Sequence, residues 1–245
     1  MTGSDALREL DAQRVRWHAV ADIDALQQAA FERILDAAKR AIEARGRFLI
    51  VLSGGNSPRG VYQMLRLADT DWSRWQIYFG DERCVAADDA ERNSRMAGDT
   101  WLAHVQIPDD QVHAIPAERG AQQAAQDYSD TLRGVGDFDL VLLGLGEDGH
   151  TASLFPDHDW GEAMTSPDAL AVFDAPKPPP QRVSLSAARL SRAREVVFLV
   201  DGESKCDAVS QWRANADIPA RAIHPQAGVD VLLTSALLVP HLPNT

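Results

Sequence analysis

The sequence predicts an α/β protein with helices on both faces of a mostly parallel sheet. Three observations carry this prediction. Strand-length apolar runs alternate with helical patterns along the chain. The run Phe48–Leu52 is apolar at every position, as in a strand buried on both faces. Glycine-rich turns directly follow strand-like runs. Sheets of this kind bind ligands beyond the carboxyl ends of their strands, so attention falls on the turns after Leu52, Phe79 and Leu143.

The elements follow in order. Residues 14–20 read as a first strand. Asp24 then opens a long helix: Asp24 and Gln27 form a capping-box pattern, and Leu26, Ala30, Ile34, Ala38 and Ile42 make one apolar stripe. Gly46 stands where a helix end favours glycine. After the strand Phe48–Leu52 and a glycine-rich turn, Pro58 starts a helix to about residue 67. Trp75–Phe79 is the next strand, followed by a polar loop. A helix over 121–132, a strand over 138–143, a second glycine-rich turn, a strand over 195–200, a helix over 203–212 and a strand over 229–233 complete the pattern. Pro176, Pro178, Pro179 and Pro180 make a stiff extended stretch before Arg182. The 245 residues contain no internal repeat, low-complexity tract or dividing linker, so 1–245 reads as one domain.

Composition narrows the function. A chain 45% hydrophobic and 24% charged is an ordinary globular one. With 24 basic and 36 acidic residues its net charge is −12, which gives no global field for nucleic acid or an anionic membrane. A phosphate would have to be held by a local cluster of basic groups and backbone amides. The two cysteines, Cys84 and Cys206, are far apart and fit reduced thiols of a cytosolic protein. The polar N-terminus lacks the apolar core of a signal peptide, and no run approaches the ~20 residues of a membrane span. The expectation is a cytoplasmic protein, monomeric or a small homo-oligomer.

Three turns carry the chemistry. The first runs from Ser53 through Gly54, Gly55, Asn56 and Ser57 to Pro58. Its glycines let the backbone approach a ligand, Asn56 or Ser57 can cap the helix, and the free amides of the helix start suit an anion. It is no Walker A loop, because no Gly-Lys-Ser/Thr follows; the plain alternative is a tight β-to-α turn. The second turn is Gly80, Asp81, Glu82, Arg83 and Cys84. Here an arginine can clamp a phosphate while the acids orient it, or the charges can simply pair in solvent. The third, residues 144–156, reads GLGEDGHTASLFP. Its letters satisfy the dinucleotide fingerprint, but Pro156 breaks the required helix and the strand comes late in the chain. What remains is His150 beside Glu147 and Asp148, a histidine suited to general-base work. No GxSxG elbow is present, His150, Asp157, His158 and Asp159 match no zinc spacing, and Cys84 has no evident partner base.

Together SGGNSPRGVY (53–62), GDERCV (80–85), Asp89 with Arg92 and Asn93, GLGEDGHTASLFP (144–156), APKPPPQRVSLS (175–186) and Gly202 to Lys205 resemble the 6-phosphogluconolactonases, in the same order and over residues 20–240. The third block is the most specific. The resemblance implies a Rossmann-like fold shared with glucosamine-6-phosphate deaminases. It also implies hydrolysis of 6-phospho-D-glucono-1,5-lactone in the oxidative pentose phosphate pathway, and neither metal nor organic cofactor. It places the general base on His150; by the logic of a catalytic triad, Glu147 or Asp148 can hold the imidazole tautomer. The phosphate-binding loop falls on Ser53, Gly54, Gly55 and Asn56, and basic substrate-binding groups fall on Arg83, Arg182 and Lys205. The chain departs from the commoner pattern at Asn56-Ser57, Ala86 and Thr234. The deaminase motif DGHIAFNEP places a glutamate just before its proline, where this chain has Phe155. A non-catalytic sugar-phosphate sensor could keep the phosphate loop but would have no use for His150 beside two acids.

Overall fold

The computed structural model describes residues 13–238. Seven strands form one sheet in which every adjacent pair is parallel. In chain order they are β1 (Val15–Val20), β2 (Phe48–Leu52), β3 (Trp75–Phe79), β5 (Val112–His113), β6 (Phe138–Gly144), β9 (Ala193–Val200) and β10 (Val229–Thr234). Their spatial order is β1-β10-β9-β6-β2-β3-β5. Every residue of β2 and β10 is buried, as expected of strands covered on both faces.

The helices are α1 (Ile23–Arg45), α2 (Asn56–Leu65), α3 (Asn93–Thr100), α4 (Ala121–Thr131), the short α5 (Ala187–Ser191) and α6 (Cys206–Arg213). Leu26, Ala30, Ile34 and Ala38 of α1 are buried as the stripe predicts. The cap differs from expectation. Asp22, in extended conformation, accepts the Ala25 amide at 2.9 Å, so the helix starts at Ile23 and Asp24 lies inside it. The Gln27 amide reaches the Ser57 carbonyl (3.4 Å) rather than closing a capping box. Likewise α2 begins at Asn56, not Pro58, and ends at Leu65. Gly55 occupies the cap position, so neither Asn56 nor Ser57 caps it with a side chain. Among the described residues no helix is long and apolar enough to cross a membrane.

A second sheet was not anticipated. Strands β4 (Asp81–Arg83), β7 (Ala169–Val172) and β8 (Arg182–Leu185) pair antiparallel in the order β4-β8-β7. Each is three or four residues long, too short for an alternation to show. The sheet nevertheless shapes the molecule's function, because its register sets Arg83 opposite Arg182 and Asp81 opposite Ser184.

Candidate active site

Strand register gathers the turns. Leu52 pairs with Phe79 and Gly144 with Leu199, so the chain segments leaving β2, β3, β6 and β9 emerge side by side at the carboxyl edge. Each turn is tied down by a buried hydroxyl that composition alone did not reveal. The Tyr62 hydroxyl of α2 donates to the Ser53 carbonyl (2.8 Å) and accepts the Ser53 amide (3.1 Å). The Tyr128 hydroxyl of α4 does the same for Phe79, accepting its amide at 2.9 Å. Burial pushes both phenols above the usual range, so they stay neutral and can donate. In the third turn the Thr151 hydroxyl donates to the Gly144 carbonyl at 2.9 Å.

Between these turns lies a cavity of about 690 Å³. Ser53, Gly54, Gly55 and Asn56 line it from the first turn, Asp81 and Arg83 from the second and His150 from the third. Arg182 comes from β8, and Lys205 from the turn after β9. Asp148 and Glu147 are not among the residues that line the cavity. Lys177 also lines the cavity; it sits in the proline-rich stretch, whose motif was visible although the residue's place was not.

The histidine is held from below. His150 Nδ1 lies 2.5 Å from Asp148 Oδ1, which also accepts the His150 amide at 3.1 Å. A carboxylate only accepts, so Nδ1 carries the hydrogen and Nε2 keeps its lone pair. Glu147 does not reach the ring. It is exposed and pairs with Lys177 at 3.3 Å, which assigns the tautomer to Asp148 alone. Burial lowers the imidazole pKa below its usual range, against the pull of Asp148 and Asp81, while Lys205 adds to the lowering. Burial opposes ionisation of Asp148 too, but the His150 charge and hydrogen bonds outweigh it and keep that carboxyl below its usual value. No helix follows this turn: residues 151 to 154 form a tight bridge instead, so no helix start acts on His150. The Phe155 ring packs on the imidazole, centroids 4.7 Å apart. A Cβ on Gly146 would lie 1.9 Å from Nδ1, so only glycine leaves room for the ring. The Gly146 amide is bound to the His150 carbonyl at 2.7 Å, which removes it from the donors open to an oxyanion.

Opposite the histidine the cavity is cationic. Arg83 and Arg182 are cross-strand neighbours, an arrangement that is unfavourable for like charges with no anion between them. Arg182 is buried; its Nε and Nη2 donate to the carbonyls of Pro179, Lys177 and Pro178, leaving Nη1 unused. Arg83 donates through Nη1 to the Glu91 carbonyl (2.6 Å), and its buried Nε has no partner among the described residues. The Lys205 ammonium makes no hydrogen bond or ion pair among the described residues, and burial lowers its pKa. Asp81 is a brace: Oδ1 accepts from Asn93 Nδ2 (3.0 Å) and Oδ2 from Ser153 Oγ (2.6 Å). Asn93 in turn fills the space that a Cβ on Gly54 would need, 2.1 Å from its Oδ1.

A neutral imidazole facing unpaired cations across a polar cavity defines an α/β enzyme for a small anionic substrate. The chain belongs to the family of glucosamine-6-phosphate isomerases and 6-phosphogluconolactonases, whose model matches residues 21–232. It is 40% identical over 210 residues to the 6-phosphogluconolactonase of Mycobacterium tuberculosis, covering 80% of this chain and 85% of the relative. It is 37% identical over 202 residues to the human 6-phosphogluconolactonase, covering 76% and 77%. The solved structure of the 6-phosphogluconolactonase from Trypanosoma brucei superposes with a TM-score of 0.83 at 27% identity, covering 92% of this chain and 98% of that one. The enzyme of Thermotoga maritima, at 24% identity, shares the fold with a TM-score of 0.84 over 91% of this chain and 100% of its own.

Proposed function

We propose that this chain hydrolyses 6-phospho-D-glucono-1,5-lactone to 6-phospho-D-gluconate, with His150 as general base. One observation separates this from the isomerase side of the family: Phe155, buried against the imidazole, stands where the deaminase motif has its glutamate. An apolar ring cannot shuttle the proton that amine chemistry needs, but it can pack the imidazole in place. The lactone is an activated cyclic ester, so no covalent nucleophile is needed. Nε2 of His150 takes a proton from water as its oxygen attacks C1; the C1–ring oxygen bond then breaks, and the proton passes to the leaving oxygen. Asp148 holds the tautomer and stabilises the transient imidazolium. Arg83, Arg182 and Lys205, with the free amides at the start of α2, hold the phosphate and so place C1.

The test compares two substrates on the purified protein, each against a no-enzyme blank because the lactone opens unaided. Fresh phospholactone should be hydrolysed well above the blank and glucosamine 6-phosphate should release no ammonia. Ammonia release at a rate comparable to lactone hydrolysis would overturn the reading. The same reading fixes a second outcome. Lys205→Ala should weaken 6-phosphogluconate binding about 10- to 150-fold, the equivalent of one charge-assisted hydrogen bond of ~1.5–3 kcal/mol. Turnover of unphosphorylated gluconolactone should barely change, and equal losses on both substrates would remove Lys205 from the phosphate site.

A further inference from the structure

A second cavity, of about 420 Å³, lies between α2 and α3, and the activity above does not use it. Its walls carry Arg59 and Gln63 of α2, Arg66 just beyond that helix, and Arg95 and Asp99 of α3. Positions 59, 63 and 66 share one helical face, and residues 59 and 66 are spaced by about 10 Å along it. The third guanidinium, Arg95, faces them from the neighbouring helix.

Most arginines of this chain pair with a carboxylate or donate to a carbonyl. Arg16, Arg33, Arg40, Arg45, Arg92 and Arg119 each pair with a carboxylate. The Arg59 and Arg66 side chains make no hydrogen bond or ion pair among the described residues. Arg95 has only Asp99, 3.2 Å away in an exposed pair on its own helix. In a chain with net charge −12, three guanidiniums around one hollow with a single acid among its lining residues are a local reversal of sign. A guanidinium presents a planar fork of donors that matches phosphoryl oxygens two at a time. Three forks spread over such a length exceed what one phosphate group can engage.

We propose that this hollow is a second anion site, taking a small ligand that carries a diphosphate or two closely spaced phosphoryl groups. It adjoins the first cavity on both sides: Pro58 lines one and Arg59 the other, and Glu91 lines one and Ala90 the other. An occupant would tie α2 to α3 where Asn93 of α3 already abuts Gly54 and braces Asp81.

Inorganic pyrophosphate is the probe, titrated calorimetrically into the intact protein at low salt with 6-phosphogluconate present at saturation. Binding should persist with 6-phosphogluconate present, and should weaken as salt is raised because the arginines are exposed. The double variant Arg59→Gln/Arg66→Gln should lose at least tenfold in pyrophosphate affinity while lactone turnover stays at the wild-type rate. Both changes are on the surface, so the fold is not at stake. The variant makes the test independent of what the first cavity binds. No binding in the wild type, or equal binding in the double variant, would overturn the proposal.

Discussion

Replacing His150 with alanine should lower kcat by about 10²–10⁴-fold, the range expected when a general base is removed. The affinity for 6-phosphogluconate should stay within about threefold of wild type, because the groups proposed to hold the phosphate are elsewhere: Arg182 on β8, Arg83 on β4 and Lys205 after β9. Steady-state kinetics and a product-binding titration on the same preparation separate the two. The ring also packs on Phe155, so the variant should be checked by circular dichroism for an intact fold. A folded His150→Ala protein with near wild-type kcat would show that the water is activated by another group. Equal losses in kcat and product affinity would instead make the histidine a binding residue.

The second large effect is on stability. Glu82 is completely buried, accepts from three backbone amides, those of Arg83 (2.9 Å), Asn93 (2.8 Å) and Ser94 (2.8 Å), and forms an ion pair with Arg92, whose Nε lies 3.3 Å away. It thus caps α3 from a distant strand, where Arg92, at the cap position, offers no side-chain bond. Glu82→Ala would strand buried amides and leave the buried Arg92 with only Glu118, at 3.2 Å, as a carboxylate partner. Breaking a buried pair in this way costs about 3–5 kcal/mol. For a chain of this size that lowers Tm by roughly 6–20 °C, at ~2–4 °C per kcal/mol. Glu82→Gln, which keeps the shape and one acceptor, should lose less. A Glu82→Ala melting curve within about 2 °C of wild type would contradict this role.

Glu82 also shows where the sequence was silent. The strands of the large sheet are legible because runs such as Phe48–Leu52 are apolar throughout. Asp81–Arg83 is a strand of three charged residues, and it reads as a polar loop because its partner, Arg182–Leu185, lies a hundred residues away. Helix α3, NSRMAGDT, has no apolar stripe, and its cap comes from another element. The cap of α1 moved from Asp24 to Asp22 because both aspartates fit the local pattern and only backbone geometry decides between them.

The site divides in the same way. His150, Ser53 to Asn56 and the second turn were visible because glycines and charges at the ends of buried strands are out of place unless used. The choice between Glu147 and Asp148 was not visible. The tight turn after Gly146 brings Asp148 back onto Nδ1 and sends Glu147 outward to Lys177. Nothing in the sequence singles out Tyr62 or Tyr128, whose hydroxyls matter because the fold sets them against the carbonyls of Ser53 and Phe79.

The proposed hydrolysis depends on a neutral imidazole. Burial holds the His150 pKa below its ordinary value near 6.5, so the base form fills as pH rises and predominates at neutrality. The pH profile of kcat/KM for fresh phospholactone, corrected for spontaneous opening, tests this directly. The wild type should rise with pH through an apparent pKa below 6.5 and then level off, and this limb should vanish from the residual activity of His150→Ala. A limb that persists in His150→Ala, or a wild-type midpoint above 6.5, would contradict the assignment.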